Sequence, residues 1–362
     1  MAFVHLHNHT QYSALDGACR VDKMATLAKE YGMSAVAMTD HGNMFGTIDF
    51  YIQCQKQGVK PIIGIEAYVI DGSLSDPGNH SRRHHHLVLL VQNATGYRNL
   101  LKLTSASYIN GFYKKPRMSK ELLEKHSKGL ICLSACIQGE IPFLLLDGRP
   151  DEAQQALEWF KKTFPVRFYI ELMDHGFEKD KKVSPLLIDL AKRTYTPMVV
   201  TNDCHYLKKD DAEAHDTLLA IQTKTLRDDP NRMRFDSDQL YFKTEAEMRQ
   251  LFPQYQDACD NTAKIADSID FRLPYDDFLF PVVEIPDNFQ VPYDYLRHLV
   301  NKGASKKYPV LTDEIRARIG FELKVIEQMG YVGYFLIVKD IIDSAREQDI
   351  PVGPGRGSAA GS

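Results

Sequence analysis

The residues of this chain that could do chemistry are metal-ligand types scattered over its first 205 positions. The set opens with His7-Asn8-His9 and closes with Asp203-Cys204-His205. Imidazole, carboxylate and thiolate donors together suit zinc, with manganese or iron as alternatives. Several such metals held close together would activate a water molecule for the hydrolysis of a phosphoester. The donors between the two motifs are Asp16, His41, Glu66, His86 and Cys136.

The settings of Glu66 and of the first two histidines favour a metal site over scattered surface residues. His7 and His9 stand two positions apart at the end of an apolar run, so their side chains point to the same side of a strand. Glu66 lies inside the apolar run 62–69, where an unpaired carboxylate is costly to bury. A cation or an ion-pair partner must therefore compensate Glu66, and a metal suits the neighbouring donors.

Other candidates leave alternatives open. The histidine triplet at 84–86 could be a polar loop, and register alone does not choose a ligand among its members. Cys136 follows the apolar run 130–135 and could equally be a small buried hydrophobe. Asp174 and His175 compete for contacts with a substrate, whereas Cys204 is expected to face away from the metals.

The elements that must position these donors alternate between short apolar strands and amphipathic helices. Strands such as 34–39 are apolar on both faces, as buried parallel strands are. Repeated strand–helix units predict an α/β fold with a parallel sheet, and seven strands before residue 205 favour a closed barrel. The predicted strands are 3–7, 34–39, 61–69, 86–92, 129–134, 167–173 and 197–202, and the predicted helices include 21–31, 46–57, 95–106, 151–163, 178–194 and 211–222.

The positions of the donors along these strands indicate a single site. In α/β barrels the catalytic residues gather where strands end and the following loops begin. His9, His41 and Cys136 stand at or just after strand ends, and Asp203 and His205 follow the last strand. The exception is the triplet at 84–86, because it stands at the start of its strand. The pattern otherwise predicts one metal cluster on one rim.

Composition and charge exclude several classes of protein. The 362 residues are 44% hydrophobic and 25% charged, which is ordinary for a soluble globular chain. No leader and no run of 18 apolar residues is visible, and six cysteines lack paired spacing, so we expect a cytoplasmic protein without a membrane span. A net charge of −4 argues against a broadly basic nucleic-acid surface. Local contacts with a DNA backbone would therefore fall first to Lys114, Lys115, Arg117 and Lys120, with Lys302, Lys306 and Lys307 further on. The alternative is that these runs are solvated surface.

The composition changes near residue 270, which predicts two domains, 1–270 and 271–362. Residues 272–293 are proline-rich with little periodicity, as in a linker or an extended crossing segment. Two helices are predicted to follow. Thr312 is the expected N-cap of the first, which runs to Met329 and stops at Gly330, and the second spans 334–348. The glycine-rich tail could cradle a phosphate or be a flexible end.

Four motifs of this chain resemble the polymerase and histidinol phosphatase (PHP) family. They are His7-x-His9, Thr39-Asp40-His41, Gly64-Ile65-Glu66 and Asn202-Asp203-Cys204-His205. The resemblance implies a distorted (β/α)7 TIM-like barrel with up to three divalent metals, and it selects His86 from the triplet. One metal would take His7, His9, Glu66 and Asp203; a second would take Glu66, His86 and Cys136; and a third would take Asp16, His41 and His205.

Further segments resemble the N-terminal part of the alpha subunits of bacterial replicative DNA polymerase III. They include Gly96-Tyr97-Arg98-Asn99-Leu100 and Gly111-Phe112-Tyr113. Residues 271–362 would then be a linker and the mainly helical start of the palm domain. In the full enzyme Arg356, Gly357 and Ser358 would contact the phosphates of an incoming nucleotide, with magnesium in the palm. The palm carboxylates are missing here, so this piece is not expected to polymerise DNA alone.

The leading hypothesis is a barrel that hydrolyses phosphodiesters at a metal site, with 3′–5′ exonuclease activity and catalytic roles for Glu66, Asp203 and His205. Implied partners are a DNA primer–template, a proofreading exonuclease and a sliding clamp. One rival is a phosphomonoesterase of the histidinol-phosphate type, which leaves residues 271–362 unexplained. The other is a structural or docking module without hydrolysis.

Overall fold

A computed structural model describes residues 3–14, 16–74, 83–274 and 281–353. The chain divides into two compact units, Met1–Leu273 and Pro274–Ser362. The described part of the first unit, which we call the barrel unit, contains eight strands and ten α-helices. A membrane-crossing helix is absent from the described part of the chain, because no helix there combines the length and the hydropathy that such a span requires.

The strands of the barrel unit form one mixed sheet. β1 runs parallel to β2, and β6, β7 and β8 form a parallel series. β5 pairs with the end of β2 and forms a hairpin with β4. The bounds are β1 Ala35–Met38, β2 Lys60–Ile70, β3 His85–Val91, β4 Phe112–Tyr113, β5 Lys115–Ser119, β6 Leu130–Leu133, β7 Phe168–Leu172 and β8 Met198–Val200.

The segment 5–9 links the two ends of this sheet. On one side the amide of Ala37 donates to the carbonyl of His5 at 2.9 Å. On the other side the amide of Cys204 donates to the carbonyl of His7 at 3.1 Å, and the amide of His9 donates back to the carbonyl of Cys204 at 2.8 Å. The segment therefore lies between β1 and the residues that follow β8. It takes the place of the predicted strand 3–7 and confirms the α/β barrel architecture.

β3 departs from the expected parallel arrangement. It is antiparallel to both of its neighbours, β2 and β6. Its first residues therefore lie beside the end of β2, where His86 is paired with Tyr68. The expectation of a wholly parallel sheet was wrong at this strand. The reversal explains why a ligand at the start of β3 can share a rim with ligands at the ends of the other strands.

The helices of the barrel unit begin and end at local signals in the sequence. Asn93 caps α3 by accepting hydrogen bonds from the amides of Thr95 and Gly96. The six helices predicted from periodicity are confirmed within three residues at each end, whereas α4, α5, α9 and α10 were not predicted. The bounds are α1 Val21–Glu30, α2 Thr47–Gln57, α3 Ala94–Ile109, α4 Lys120–His126, α5 Glu140–Leu146, α6 Pro150–Thr163, α7 Glu178–Arg193, α8 Ala212–Thr223, α9 Glu245–Leu251 and α10 Gln256–Ser268.

Alternation along the strands divides the core into two clusters. In β3, Leu87 and Leu89 pack in one cluster with helix residues such as Phe160. Val88 and Leu90 belong to the other cluster, which includes Ile265 of α10. Both faces of the strand are buried, as its continuous apolar sequence predicts. This double burial fixes the register of each strand and therefore the position of the polar residue at its end.

The described part of the second unit, which we call the helical unit, consists of three helices. They are α11 Pro292–Lys307, α12 Asp313–Gln328 and α13 Val332–Glu347. The side chain of Thr312 accepts a hydrogen bond from the amide of Ile315, and Gly330 has the left-handed φ of +73°, which confirms both predicted signals. The expectation of only two helices was wrong, because α11 begins at Pro292 inside the predicted linker. Arg356, Gly357 and Ser358 lie outside the described residues.

Candidate metal centre

The structure brings all nine predicted metal ligands together at one rim of the barrel. The segment 5–9 carries His7 and His9, and the residues after β1 and β6 carry His41 and Cys136. Three groups of side chains have ligand atoms within 4.8 Å of one another and could each hold a metal ion. These groups are His9, His41 and His205; His7, His9 and Glu66; and His41, Glu66 and His86.

Glu66 is the central carboxylate of this cluster, and its side chain is almost wholly buried. Its Oε1 lies 2.8 Å from Nδ1 of His86 and 3.4 Å from Nε2 of His7. Its Oε2 lies 2.6 Å from Nδ1 of His41. Among the described residues its ion-pair partners are all histidines. A carboxylate in this position could bridge two metals.

Asp203 is the second carboxylate of the cluster. Its Oδ1 lies 2.9 Å from Nε2 of His9 and 3.3 Å from Nε2 of His7. The residue has a φ of +42°, in the left-handed region that non-glycine residues rarely adopt. This strained backbone directs the carboxylate to the two histidines of the first segment, and such strain is commonly found at functional sites.

The remaining donors lie on two sides of Glu66. On one side Sγ of Cys136 is 3.7 Å from Nδ1 of His86 and 4.0 Å from Oε1 of Glu66. On the other side Oδ2 of Asp16 is 3.0 Å from Nε2 of His41, and its Oδ1 is 3.5 Å from Nε2 of His205. These separations suit donors that share a metal at bond lengths of about 2.0–2.3 Å.

Several buried polar atoms of this cluster form no hydrogen bond with any residue that the structure describes. Six buried ligand atoms of this cluster have no hydrogen-bond partner in the described structure. Leaving a buried polar atom unpaired costs about 1–3 kcal/mol, so six together would be a heavy penalty in a folded protein. Divalent metals would satisfy all of them, and the residues present therefore fit such ions. The atoms are Nε2 of His7, Nε2 of His9, Oδ1 of Asp16, Nδ1 of His41, Oε2 of Glu66 and Oδ1 of Asp203.

Glu171 of β7 supports the cluster and was missed in the sequence. It is only 1% exposed, and its Oε1 lies 2.8 Å from Nδ1 of His7 and accepts from the hydroxyl of Thr201 at 2.6 Å. Its Oε2 accepts from the amide of Ala135. The contact directs Nε2 of His7 towards the cluster, as carboxylates do for metal-binding histidines. A carboxylate inside an apolar strand is the signal that identified Glu66, and it was available for Glu171 too.

Ser13 and Asp40 support two further histidines. The hydroxyl of Ser13 lies 3.1 Å from Nδ1 of His9, accepts from the amide of His41 and donates to Oδ1 of Asp40 at 2.8 Å. Asp40 also accepts from the amide and the hydroxyl of Thr10. Ser13 therefore fixes the positions of His9 and His41 relative to each other. No pattern in the sequence indicated this role for Ser13.

The electrostatics favour the ligand forms of His9 and Asp203. By contrast, nearby carboxylates outweigh burial and raise the pKa of His7 and of His41, and burial raises the pKa of the Cys136 thiol. Burial, with further effects from His41 and His205, lowers the pKa of His9 to about 3, so this imidazole is neutral at physiological pH. Burial alone would raise the pKa of Asp203, but His7 and His205 outweigh it and hold that pKa well below its usual range. Neutral imidazole and ionised carboxylate are the forms that bind divalent metals.

Comparisons with known proteins identify the chain. Residues 5–175 match the PHP domain, and residues 294–362 match the bacterial DNA polymerase III alpha NTPase domain. The whole chain is 49% identical to DNA polymerase III subunit alpha of Treponema pallidum and 40% identical to that of Thermus aquaticus. This chain carries a PHP domain and is related along its whole length to bacterial DNA polymerase III alpha subunits. It covers 31% of the first relative and 35% of the second, about a third of their length.

Two more similarities extend this comparison. The alpha subunit of Mycobacterium tuberculosis is 42% identical over the whole chain, which covers 32% of that protein. Among solved structures, an amidohydrolase from Chromobacterium violaceum is 14% identical with a TM-score of 0.37, over 56% of this chain and 88% of that one.

A cavity of about 470 Å³ opens onto the candidate metal cluster of the barrel unit. Its wall includes the side chains of Asp16, His41, His86, Asp203 and His205, whereas His7, His9 and Glu66 do not line it. His7, His9 and Glu66 therefore lie beneath the residues that line the cavity. Aromatic and basic side chains also line the cavity, and they include Tyr68, Phe177, Phe235 and Lys115.

Three residues predicted as rivals or bystanders have definite places in the barrel unit. His175 lines the cavity, but its Nδ1 lies 3.2 Å from Asp180 and its Nε2 lies 3.0 Å from the carbonyl of Asn202, so both ring nitrogens are engaged. Asp174 accepts from the amide of Gly176 outside the cavity wall. Cys204 is buried, with Sγ 3.4 Å from the carbonyl of Tyr241, and is absent from the candidate metal groups.

The two basic residues proposed for DNA contacts differ in their surroundings. Lys115 lines the cavity, and its Nζ lies 3.3 Å from the hydroxyl of Tyr68. Arg117 is only 3% exposed, and its Nε donates to the carbonyl of Gly111. Lys115 is therefore accessible to a substrate, whereas the guanidinium of Arg117 is largely committed to the protein.

Proposed function

We propose that the PHP domain of this chain is a metal-dependent phosphodiesterase that removes nucleotides from the 3′ end of DNA. The observation that carries this proposal is the convergence of nine donor side chains in and beneath the wall of an open cavity, six of them with buried atoms that form no hydrogen bond within the described residues. The site would hold up to three divalent metals, with zinc as the first choice. Bound metals would supply Lewis acidity and a water nucleophile at neutral pH.

The three ligand sets are those that the resemblance to the PHP family implies, and the short distances within each set support them. His7, His9, Glu66 and Asp203 would hold one metal beneath the cavity. Glu66, His86 and Cys136 would hold a second, and Asp16, His41 and His205 a third. Glu66 belongs to two sets, so its removal would disturb the whole centre.

The chain's own residues would orient the substrate. Asp203 and His205 reach both the ligand set and the cavity wall, which makes them the best placed catalytic residues together with Glu66. Lys115 and the Tyr68 hydroxyl lie side by side on the wall and would donate hydrogen bonds to phosphate oxygens.

The second part of the proposal concerns the full-length protein. We infer that residues 271–362 are a linker and the start of the palm of a DNA-directed DNA polymerase, which the match of residues 294–362 supports. Arg356, Gly357 and Ser358 would contact nucleotide phosphates there, with magnesium. DNA primer–template, a proofreading exonuclease and a sliding clamp are the expected partners of the full-length protein.

The decisive experiment is hydrolysis of a 3′-mismatched primer–template by protein reconstituted with zinc or manganese. The double variant Asp203→Ala/His205→Ala should lose nucleotide release completely. A matched control is His126→Ala, which removes an imidazole at the end of α4, outside the candidate metal groups, and should keep full activity. Circular dichroism checks that all three proteins are folded.

The other outcomes decide between the rivals. Hydrolysis of a phosphomonoester such as histidinol phosphate, but not of a DNA 3′ end, would favour the phosphomonoesterase. Stoichiometric metal without hydrolysis of any phosphoester would make the barrel a structural or docking module.

The histidine triplet provides a second test, because its neighbours serve as controls. His86→Ala removes a side chain that lies 2.8 Å from Glu66 and should lower the metal content by about one ion per chain, as expected when a ligand is lost from a three-residue set. His85→Ala removes an imidazole that faces Phe143 and should leave the metal content unchanged. Elemental analysis after gel filtration measures both. Equal metal content in the two variants would contradict the assignment of His86.

A further inference from the structure

A basic groove adjoins the cavity of the metal centre. The groove has a volume of about 460 Å³, and Ile137 and Gln138 line both the groove and the metal cavity. These two residues directly follow Cys136 in the chain. The groove and the cavity therefore meet at the loop that carries a candidate metal ligand.

The groove has an excess of positive charge. Arg83, Lys179 and Lys182 line it, and Asp147 is the one acidic residue in its wall. The Asp147 carboxylate is already engaged, since Oδ2 lies 3.4 Å from Nη1 of Arg149. The local excess of cations is notable in a chain whose net charge is −4.

The lysines of the groove differ from their neighbour in the same helix. Lys179 and Lys182 are exposed, and neither forms an ion pair with another residue that the structure describes. Lys181 lies between them in α7, pairs with Glu178 at 3.2 Å and does not line the groove. The two unpaired cations of this turn are therefore the ones that face the groove. Across from them, the Arg83 guanidinium stacks over the ring of Phe143 at 3.8 Å.

We propose that this groove binds the phosphodiester backbone of the DNA strand whose 3′ end enters the metal cavity. The inference rests on the proposed exonuclease function and adds the path of the strand. Lysine and arginine side chains bind successive phosphates without reading sequence, as an exonuclease requires. Ile137 is half-buried at the junction and offers an apolar contact to a sugar or base there.

A neighbouring cavity that shares Arg83 and Phe143 is not an equivalent path. Its other cations are compensated within the protein. Lys120 lies 2.8 Å from Asp71 and 2.5 Å from Glu140, and Arg149 lies 2.6 Å from Glu152. Cations that are already paired gain little from a phosphate, because the new contact must replace an existing one.

The proposal is tested by binding of a labelled oligo(dT) of about eight nucleotides, a length within the usual range of single-strand sites. Its 3′-terminal linkage is a phosphorothioate, so that binding is separated from cleavage. Fluorescence anisotropy over a salt series compares the parent protein with Lys179→Gln/Lys182→Gln. The matched control is Lys181→Gln/Lys192→Gln, which removes two charges from the same helix outside the groove.

Counterion release sets the expected size of the effect. Each lost phosphate contact should lower the salt slope by about 0.7 and weaken binding about fivefold near 0.1 M salt, so the groove variant should bind about 25-fold more weakly. The control variant should keep the parent slope. Binding of thymidine monophosphate should be equal in all three proteins, since one nucleotide occupies the metal cavity alone.

Several results would overturn the inference. An unchanged salt slope in the groove variant would contradict it. An equal loss of affinity in the control variant would also contradict it, because binding would then depend only on the overall charge of the protein. A parent protein that binds the oligonucleotide through the groove without cleaving any phosphodiester would refute the proposed function and leave the groove standing. Normal cleavage and normal binding by the groove variant would refute the groove and leave the function standing.

Discussion

The barrel unit and the helical unit of this chain bury different kinds of residue. The barrel unit encloses polar side chains at its rim, among them Glu66 and Glu171, each at most 1% exposed. In the described part of the helical unit no polar side chain is buried, and the core rests on Leu296, Leu323 and Leu336. Burying polar groups is costly, so a fold keeps them where they have partners or ligands.

This difference identifies where function is concentrated within the described residues. The barrel unit has a large apolar core that can offset the cost of its polar rim. The helical unit has a small core, and Phe321, Met329 and Ile341 are about 60% exposed. Its helices are shaped by local signals, whereas the rim of the barrel is assembled from residues far apart in the chain. Four changes test this contrast between the two units, and the first should have the largest effect.

Removing metals should destabilise the barrel unit alone. A ligand held at 100 times its dissociation constant stabilises the folded state by about 2.7 kcal/mol per site, and the centre offers up to three sites. Chelation, or the variant Glu66→Gln in metal-containing buffer, should therefore lower the unfolding temperature of the barrel by several degrees. The helical unit should keep its hydrogen-exchange protection. Hydrogen exchange followed by mass spectrometry resolves the two units, and a parallel loss in both would contradict the contrast.

The core leucine of α12 should matter more than its exposed neighbour. Leu323→Ala removes one of three fully packed leucines and should cost about 2–5 kcal/mol, which is enough to unfold the helical unit. Phe321→Ala removes a larger side chain that is 61% exposed and should cost less than about 1 kcal/mol. Hydrogen exchange of α11–α13 measures both variants. Similar hydrogen-exchange protection in the two variants would show that the packing of Leu323 does not stabilise the three helices.

Glu171 should act on the metal centre through His7. Glu171→Gln keeps the shape of the side chain but weakens its hold on Nδ1 of His7, and loss of such a contact typically costs 10–100-fold in metal affinity, about 1.4–2.7 kcal/mol. The control is Glu178→Gln, which changes an exposed carboxylate in the first turn of α7. Titration with a competing chelator measures the affinities. A metal affinity of Glu171→Gln equal to that of the parent protein would show that Glu171 has only a structural role.

Helix caps should have the smallest effects and should differ little between the units. Thr312 accepts one hydrogen bond at the start of α12, whereas Thr244 forms a reciprocal capping box with Glu247 at the start of α9. Each change to alanine should cost about 0.5–2 kcal/mol, with Thr244→Ala the larger because it breaks two contacts. Urea unfolding monitored in each unit gives the values. The reverse order would show that tertiary packing outweighs the caps.

Local patterns accounted for much of this fold. Continuous apolar runs predicted the buried strands, and the cap at Thr312 was found where it was expected. The direction of β3 was not predictable, because a strand that is apolar on both faces has the same sequence signature whether it runs parallel or antiparallel. Because β3 runs antiparallel to its neighbours, His86 lies at the start of its own strand and still shares a rim with ligands at the ends of the other strands. α11 was missed because Pro292, read as a linker residue, occupies the first turn of that helix, where proline is well tolerated.

The donor residues, most of the strands that carry them and the relationship to alpha subunits could be read from the amino-acid sequence. Which atoms meet depends on the packing of the chain, because hydrogen bonds between distant segments place His7 beside Cys204 and orient Nε2 of His7 through Glu171. The packing also decides that Lys179 and Lys182 face a groove while Lys181 pairs with Glu178. Metal binding and phosphate binding depend on the convergence of several atoms within a few ångströms, and only the packing of the chain creates such convergence.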